Sequence, residues 1–140
     1  EIKMKAGKQL AKFLKLWVPV IAWAAVIFYF SSVPYLRTNL KYDFILRKIA
    51  HIFEYLILTF LLYKAFKGSF NMNERRLFIY SALFSFLYAV SDEIHQYFVP
   101  GRSCTIKVVL FDTVGILGFY IIIKIITNRR RGYILAGGLG

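Results

Sequence analysis

Apolar residues fall into four long blocks, and charged residues collect between them. The blocks are residues 16–33, 45–66, 77–99 and 108–126. Each is close to the roughly 20 apolar residues that a helix needs to cross a bilayer. The pattern predicts an all-α, polytopic membrane protein with four transmembrane helices, since a helix satisfies its own backbone in lipid. Residues 1–15 form a basic amphipathic segment, with five lysines set around Leu10, Phe13 and Leu14. It reads as a short interfacial helix leading into the first span. Such a start resembles a signal peptide, but the apolar run continues too long and lacks a small-x-small exit. Residues 128–140 form a basic, Gly-rich tail. A length of 140 residues leaves one membrane domain, residues 16–127, and no separate soluble one.

Two blocks are polar on one side near one end. In the second, Lys48, His51 and Tyr55 share a helical face, and Glu54 sits beside His51 in projection. In the third, Asp92, Glu93 and Gln96 share a face, with His95 on the flank. Ser85 and Tyr88 continue that face deeper. The third block leaves the helix at Pro100-Gly101, and Arg102 follows in the loop. The fourth block carries Asp112 one turn in, then Gly115 and Gly118, small residues that let helices approach closely.

Loop charge sets the orientation. The lysines before the first block, Lys64, Lys67, Arg75 and Arg76 after the second, and Lys124 and Arg129 to Arg131 at the end all fall on one side. The other side has fewer: Arg37 and Lys41 in one loop, Arg102 and Lys107 in the other. Short loops rich in Lys and Arg stay in the cytoplasm, so both termini are expected to be cytoplasmic. Polar groups from three helices then meet at one depth, near the outer face. Ionisable residues inside a membrane usually mark a site.

Composition agrees with this. The chain is 59% hydrophobic and carries a net charge of +12. Its basic residues lie in short runs beside apolar blocks, which suits lipid headgroups and argues against nucleic acid. The single cysteine, Cys104, excludes an intramolecular disulfide.

Three chemistries fit the polar cluster. His51, Glu54, Asp92 and His95 are candidate metal ligands, at a generic spacing. Lys48, Arg102 and His51 could hold a phosphate or carboxylate headgroup, with Asp92 or Glu93 as general base and His51 as acid. The bland alternative is a neutralising cluster, in which Lys48 and Arg102 pair with Asp92, Glu93 and Asp112 to lock the helices.

Lys48-x-x-His51-x-x-Glu54-Tyr55, Asp92-Glu93-x-His95-Gln96-x-x-x-Pro100-Gly101-Arg102-Ser103 and Asp112-x-x-Gly115-x-x-Gly118 together resemble the VanZ-like family of bacterial membrane proteins. The Ser31-Ser32 exit from the first block is similar to the family pattern as well. The resemblance covers about residues 16–126. It implies a multi-pass protein of the bacterial cell membrane, associated with resistance to teicoplanin-type lipoglycopeptide antibiotics. The family signature falls here on Lys48, His51, Tyr55, Asp92, Glu93, Gln96, Arg102 and Asp112. Many members carry an acid where this chain has Val108, which weighs against a mechanism needing two acids on the fourth helix. The expected catalytic residues are Asp92, Glu93 and His51. The expected ligand-binding residues are Lys48, Tyr55, His95, Gln96, Arg102 and Asp112. The expected ligand is a membrane lipid or a lipid-linked cell-wall precursor, with the antibiotic itself and a second copy of the chain as further partners. The alternative is a membrane-embedded hydrolase or transferase acting on a phospholipid or polyprenyl phosphate. No cofactor is named by these residues.

Overall fold

The computed structural model describes residues 2–34, 43–101 and 106–137. Arg102 and Cys104 lie outside the described residues. The described chain is all helix and loop: α1 (Ile2–Ser32), α2 (Asp43–Ser69), α3 (Glu74–Tyr97) and α4 (Ile106–Gly137). Three helices contain stretches long and apolar enough to cross a membrane: Ala6–Ser32 in α1, Glu74–Tyr97, and Val108–Arg129 in α4.

The basic N-terminal segment and the first apolar block belong to one helix of 31 residues. Lysine is a good helix former, so a change in composition need not be a change in backbone. Pro19 lies inside this helix and leaves the carbonyl of Lys15 without its usual amide donor. At the other end of the chain, α4 likewise runs on through the basic segment to Gly137.

The turn between α2 and α3 is short, so the two helices are antiparallel neighbours. Asn73 caps α3: its side chain accepts a hydrogen bond from the Arg76 amide at 2.9 Å. Glu74 in the first turn suits the positive end of the helix dipole. The third block ends as a helix at Tyr97, two residues short of its apolar pattern. There the Phe98 and Val99 amides bond to the His95 and Gln96 carbonyls, three residues back. Pro100 has no amide to continue the ladder. Gly101 then turns the chain at φ 77°, where a side chain would be strained.

α2 packs against all three other helices. It supplies half of the buried core, Tyr55, Leu58, Leu62, Tyr63, Ala65 and Phe66, which meets Val20 and Ile27 of α1, Leu77 and Ala89 of α3, and Ile116 and Phe119 of α4. The outer surface is equally apolar: Ile21, Leu87, Leu110 and Ile121 all point outward. A bundle that is apolar on both faces is built for lipid rather than water.

α2 and α4 approach closely at Gly115. A Cβ at this position would overlap the carbonyl oxygen of Ile52 and stand 3.1 Å from the amide nitrogen of Leu56. Both neighbours are backbone, so only glycine lets the helices meet here. Asp112 lies one turn earlier on α4, and the contact carries it against His51.

Candidate functional site

The buried face of α3 reads Leu77, Ser81, Ser85, Ala89, Asp92, Glu93 and Gln96. It starts apolar, becomes small and polar, and ends in three groups able to make strong hydrogen bonds. This face meets α2 at Thr59, whose hydroxyl lies 2.8 Å from that of Ser85. Nearer the end of the helix it meets α1. There the amide nitrogen of Gln96 donates to Ser31 Oγ at 2.5 Å and to Asp92 Oδ2 at 2.9 Å. Gln96 therefore fixes one oxygen of Asp92 and ties α3 to α1. Tyr88 adds a second tie, donating to the Ala24 carbonyl at 2.6 Å. Trp23 of α1 donates to the Glu54 carbonyl of α2 at 3.0 Å.

A cavity of about 270 Å³ opens among α1, α2 and α3. Ser31, Arg47, His51, Glu54, Asp92 and Gln96 are its polar walls, and Ile27, Phe30 and Ala50 its apolar ones. Asp92 is 4% exposed, and its Oδ1 has no hydrogen-bond partner among the described residues. The hydroxyl of Tyr55 is also buried without a partner among them. Buried polar atoms are nearly always hydrogen-bonded. Asp92 Oδ1 is therefore an acceptor on the cavity wall, within reach of a polar group that enters the cavity.

His51 stands between the cavity and α4. Its Nδ1 lies 3.1 Å from Oδ1 of Asp112, which is 1% exposed, and 3.9 Å from Oε2 of Glu54. An ionised carboxylate only accepts, so with Asp112 charged, Nδ1 holds the proton. In the neutral imidazole Nε2 then keeps its lone pair and can act as a base or accept a hydrogen bond. Glu93 is buried on the same face of α3 as Asp92.

Several expected site residues stand elsewhere. Lys48 does not line the cavity; its ammonium sits 4.4 Å from the centre of the Phe111 ring. Its neighbour Arg47 lines the cavity instead. His95 faces α1, with Nε2 3.0 Å from Ser32 Oγ and its ring 4.4 Å from that of Phe28. The four candidate metal ligands thus do not gather, and no group of three or more His, Cys, Asp or Glu among the described residues is placed to hold one ion. Arg102, the expected headgroup clamp, lies outside the described residues. Ser31 and Arg47 were not singled out as site residues in the sequence. Ser31 carries a usable signal: it lies one turn beyond Ile27, at the polar Ser31-Ser32 end of an apolar stretch.

Two comparisons with known proteins bear on the chain. The VanZ/LLP1 family profile matches residues 16–127. A relative from Bacillus subtilis (strain 168), described as the uncharacterized membrane protein YwnJ, is 32% identical over 114 residues, 76% of this chain and 74% of the relative. No solved structure matches.

Proposed function

The chain belongs to the VanZ/LLP1 family and is a multi-pass protein of the bacterial cell membrane, and from that premise we propose that it lowers susceptibility to teicoplanin-type lipoglycopeptide antibiotics. It does so by binding a lipid-anchored ligand, such as a cell-wall precursor, in the cavity among α1, α2 and α3. α2 is the fourth span, both termini are cytoplasmic, and residues 16–127 form the membrane domain between a basic N-terminal segment and a basic tail. The loop charges support this orientation, which sets the cavity at the outer face.

The single observation that carries the reading is Asp92 Oδ1, a buried acceptor with no partner among the described residues, on the wall of a cavity that also presents Arg47 and His51. A hydroxyl or amide of the ligand would bond to Asp92. An anionic group would meet Arg47 and, from the loop, Arg102. Ile27 and Phe30 would contact its apolar portion. Expression in a susceptible Gram-positive host tests the proposal. Wild type should raise the teicoplanin concentration needed to stop growth, and Asp92→Ala or Arg102→Ala at equal expression should not. Full resistance from both variants would sink the site assignment.

The pairing of His51 with Asp112 favours a second reading. A histidine whose Nδ1 is oriented by a buried carboxylate can serve as general base or acid, so the same cavity could catalyse hydrolysis or group transfer on a phospholipid or polyprenyl phosphate. Turnover of such a lipid in detergent, abolished by His51→Ala, is the expected sign. Binding without turnover leaves the first reading.

A further inference from the structure

A second cavity, about 550 Å³, lies at the opposite end of the bundle, between the start of α3 and the second half of α4. Arg75, Lys124, Thr127 and Asn128 line its polar side, and Phe78 and Ile123 are part of its apolar wall. Glu74 and Tyr63 also border it. Glu74 is already engaged: Lys67 Nζ is 2.7 Å from its Oε1, and the Tyr63 hydroxyl donates to its Oε2. Its charge is therefore offset by Lys67. Arg75 has no ion-pair partner among the described residues, and Lys124 only lies over the Tyr120 ring at 5.7 Å. The groove carries a net positive field, strengthened by Lys64, Arg76 and Arg129 at the same end.

We propose that this groove binds the phosphate of an anionic phospholipid, with Arg75 and Lys124 as its cationic contacts and Thr127 and Asn128 as neutral donors. Two features commit it to a lipid rather than a free phosphate. The apolar wall continues outward over Ile79 and Tyr120, both exposed on the bundle surface where acyl chains would lie. The cations stand at the end of the bundle where apolar spans give way to basic segments, the level of lipid headgroups. Basic pockets between membrane helices at this level are suited to acidic headgroups. The site is separate from the cavity holding Asp92.

The test is titration of the purified full chain, in zwitterionic micelles, with short-chain phosphatidylglycerol, short-chain phosphatidylcholine and inorganic phosphate. Arg75→Gln combined with Lys124→Gln should weaken phosphatidylglycerol binding by about tenfold or more. Lys8→Gln with Lys15→Gln removes the same charge from exposed positions of α1, and should change it less than about twofold if binding is local rather than a bulk attraction. Phosphatidylcholine should bind weakly throughout, and phosphate should not compete. Equal losses in the two double variants would reduce the groove to net charge. Equal binding of phosphatidylcholine, or full competition by phosphate, would overturn the assignment to an anionic lipid. All four side chains are exposed, so the variants should fold as wild type does, and unchanged thermal unfolding checks this.

Discussion

Alanine at Gly115 and at Gly118 makes the same chemical change on the same helix, yet the two should act in opposite directions. At Gly118 the new methyl would meet only Leu56 Cδ1, at 3.8 Å, an ordinary contact. Relief of the glycine penalty in a helix should then stabilise by about 0.5–1 kcal/mol. At Gly115 the methyl would run into the Ile52 carbonyl and stand 3.1 Å from the Leu56 amide nitrogen. Backbone cannot rotate away as a side chain can, so α2 and α4 must separate. Overpacking of this kind costs about 1–3 kcal/mol. Both variants gain the helix contribution, so they should differ by the overpacking alone, about 1–3 kcal/mol. Unfolding in mixed micelles by added dodecyl sulfate measures the gap. Gly115→Ala should also weaken the coupling of His51 to Asp112, because it pushes on Ile52, the residue next to His51, from a position one turn beyond Asp112. If Gly115→Ala unfolds no more readily than Gly118→Ala, the close helix contact is wrong, and so is the account of how Asp112 reaches His51.

Three further outcomes follow from the same geometry. A double-mutant cycle with His51→Ala and Asp112→Ala should give a coupling of about 0.5–2 kcal/mol, read from the same unfolding curves; strict additivity would mean the pair does not form. Thr59→Val should cost about 0.5–1.5 kcal/mol, since the Ser85 hydroxyl loses a buried partner, and Thr59→Ser should restore much of it. Gly101→Ala should destabilise by about 1–2 kcal/mol, because the φ of 77° is costly for any residue with a Cβ; an unchanged unfolding curve would place that turn in another conformation.

The four helices were legible because long apolar runs are separated by charge, and three of the helices contain stretches long and apolar enough to cross a membrane. Their ends were less so. The lysines of residues 1–15 and the arginines after Thr127 differ in composition from the apolar blocks but favour helix equally, so α1 and α4 run through both boundaries. The gathering of His51, Asp92, Gln96 and Asp112 at one end was also legible, since short loops force neighbouring helices to run antiparallel. What stayed hidden was which face packs inward. In a soluble bundle the polar face points out and settles the question. Here the outside is as apolar as the core, so adjacent residues compete without a clear signal. Arg47 rather than Lys48 reached the cavity, and His95 turned to Ser32 and Phe28 rather than to His51. The contribution of Ser31 was hidden for a related reason: a serine at the end of a span reads as a terminator until its partner, Gln96, is known.

The most direct test of the central claim is native mass spectrometry of the chain extracted gently from its own membrane, wild type beside Asp92→Ala. The expected result is a lipid retained by wild type and lost from the folded variant, its mass naming the ligand class held by the cavity among α1, α2 and α3. A wild type that carries nothing, or a variant that retains the same lipid, would contradict the assignment of Asp92 and its cavity to ligand binding.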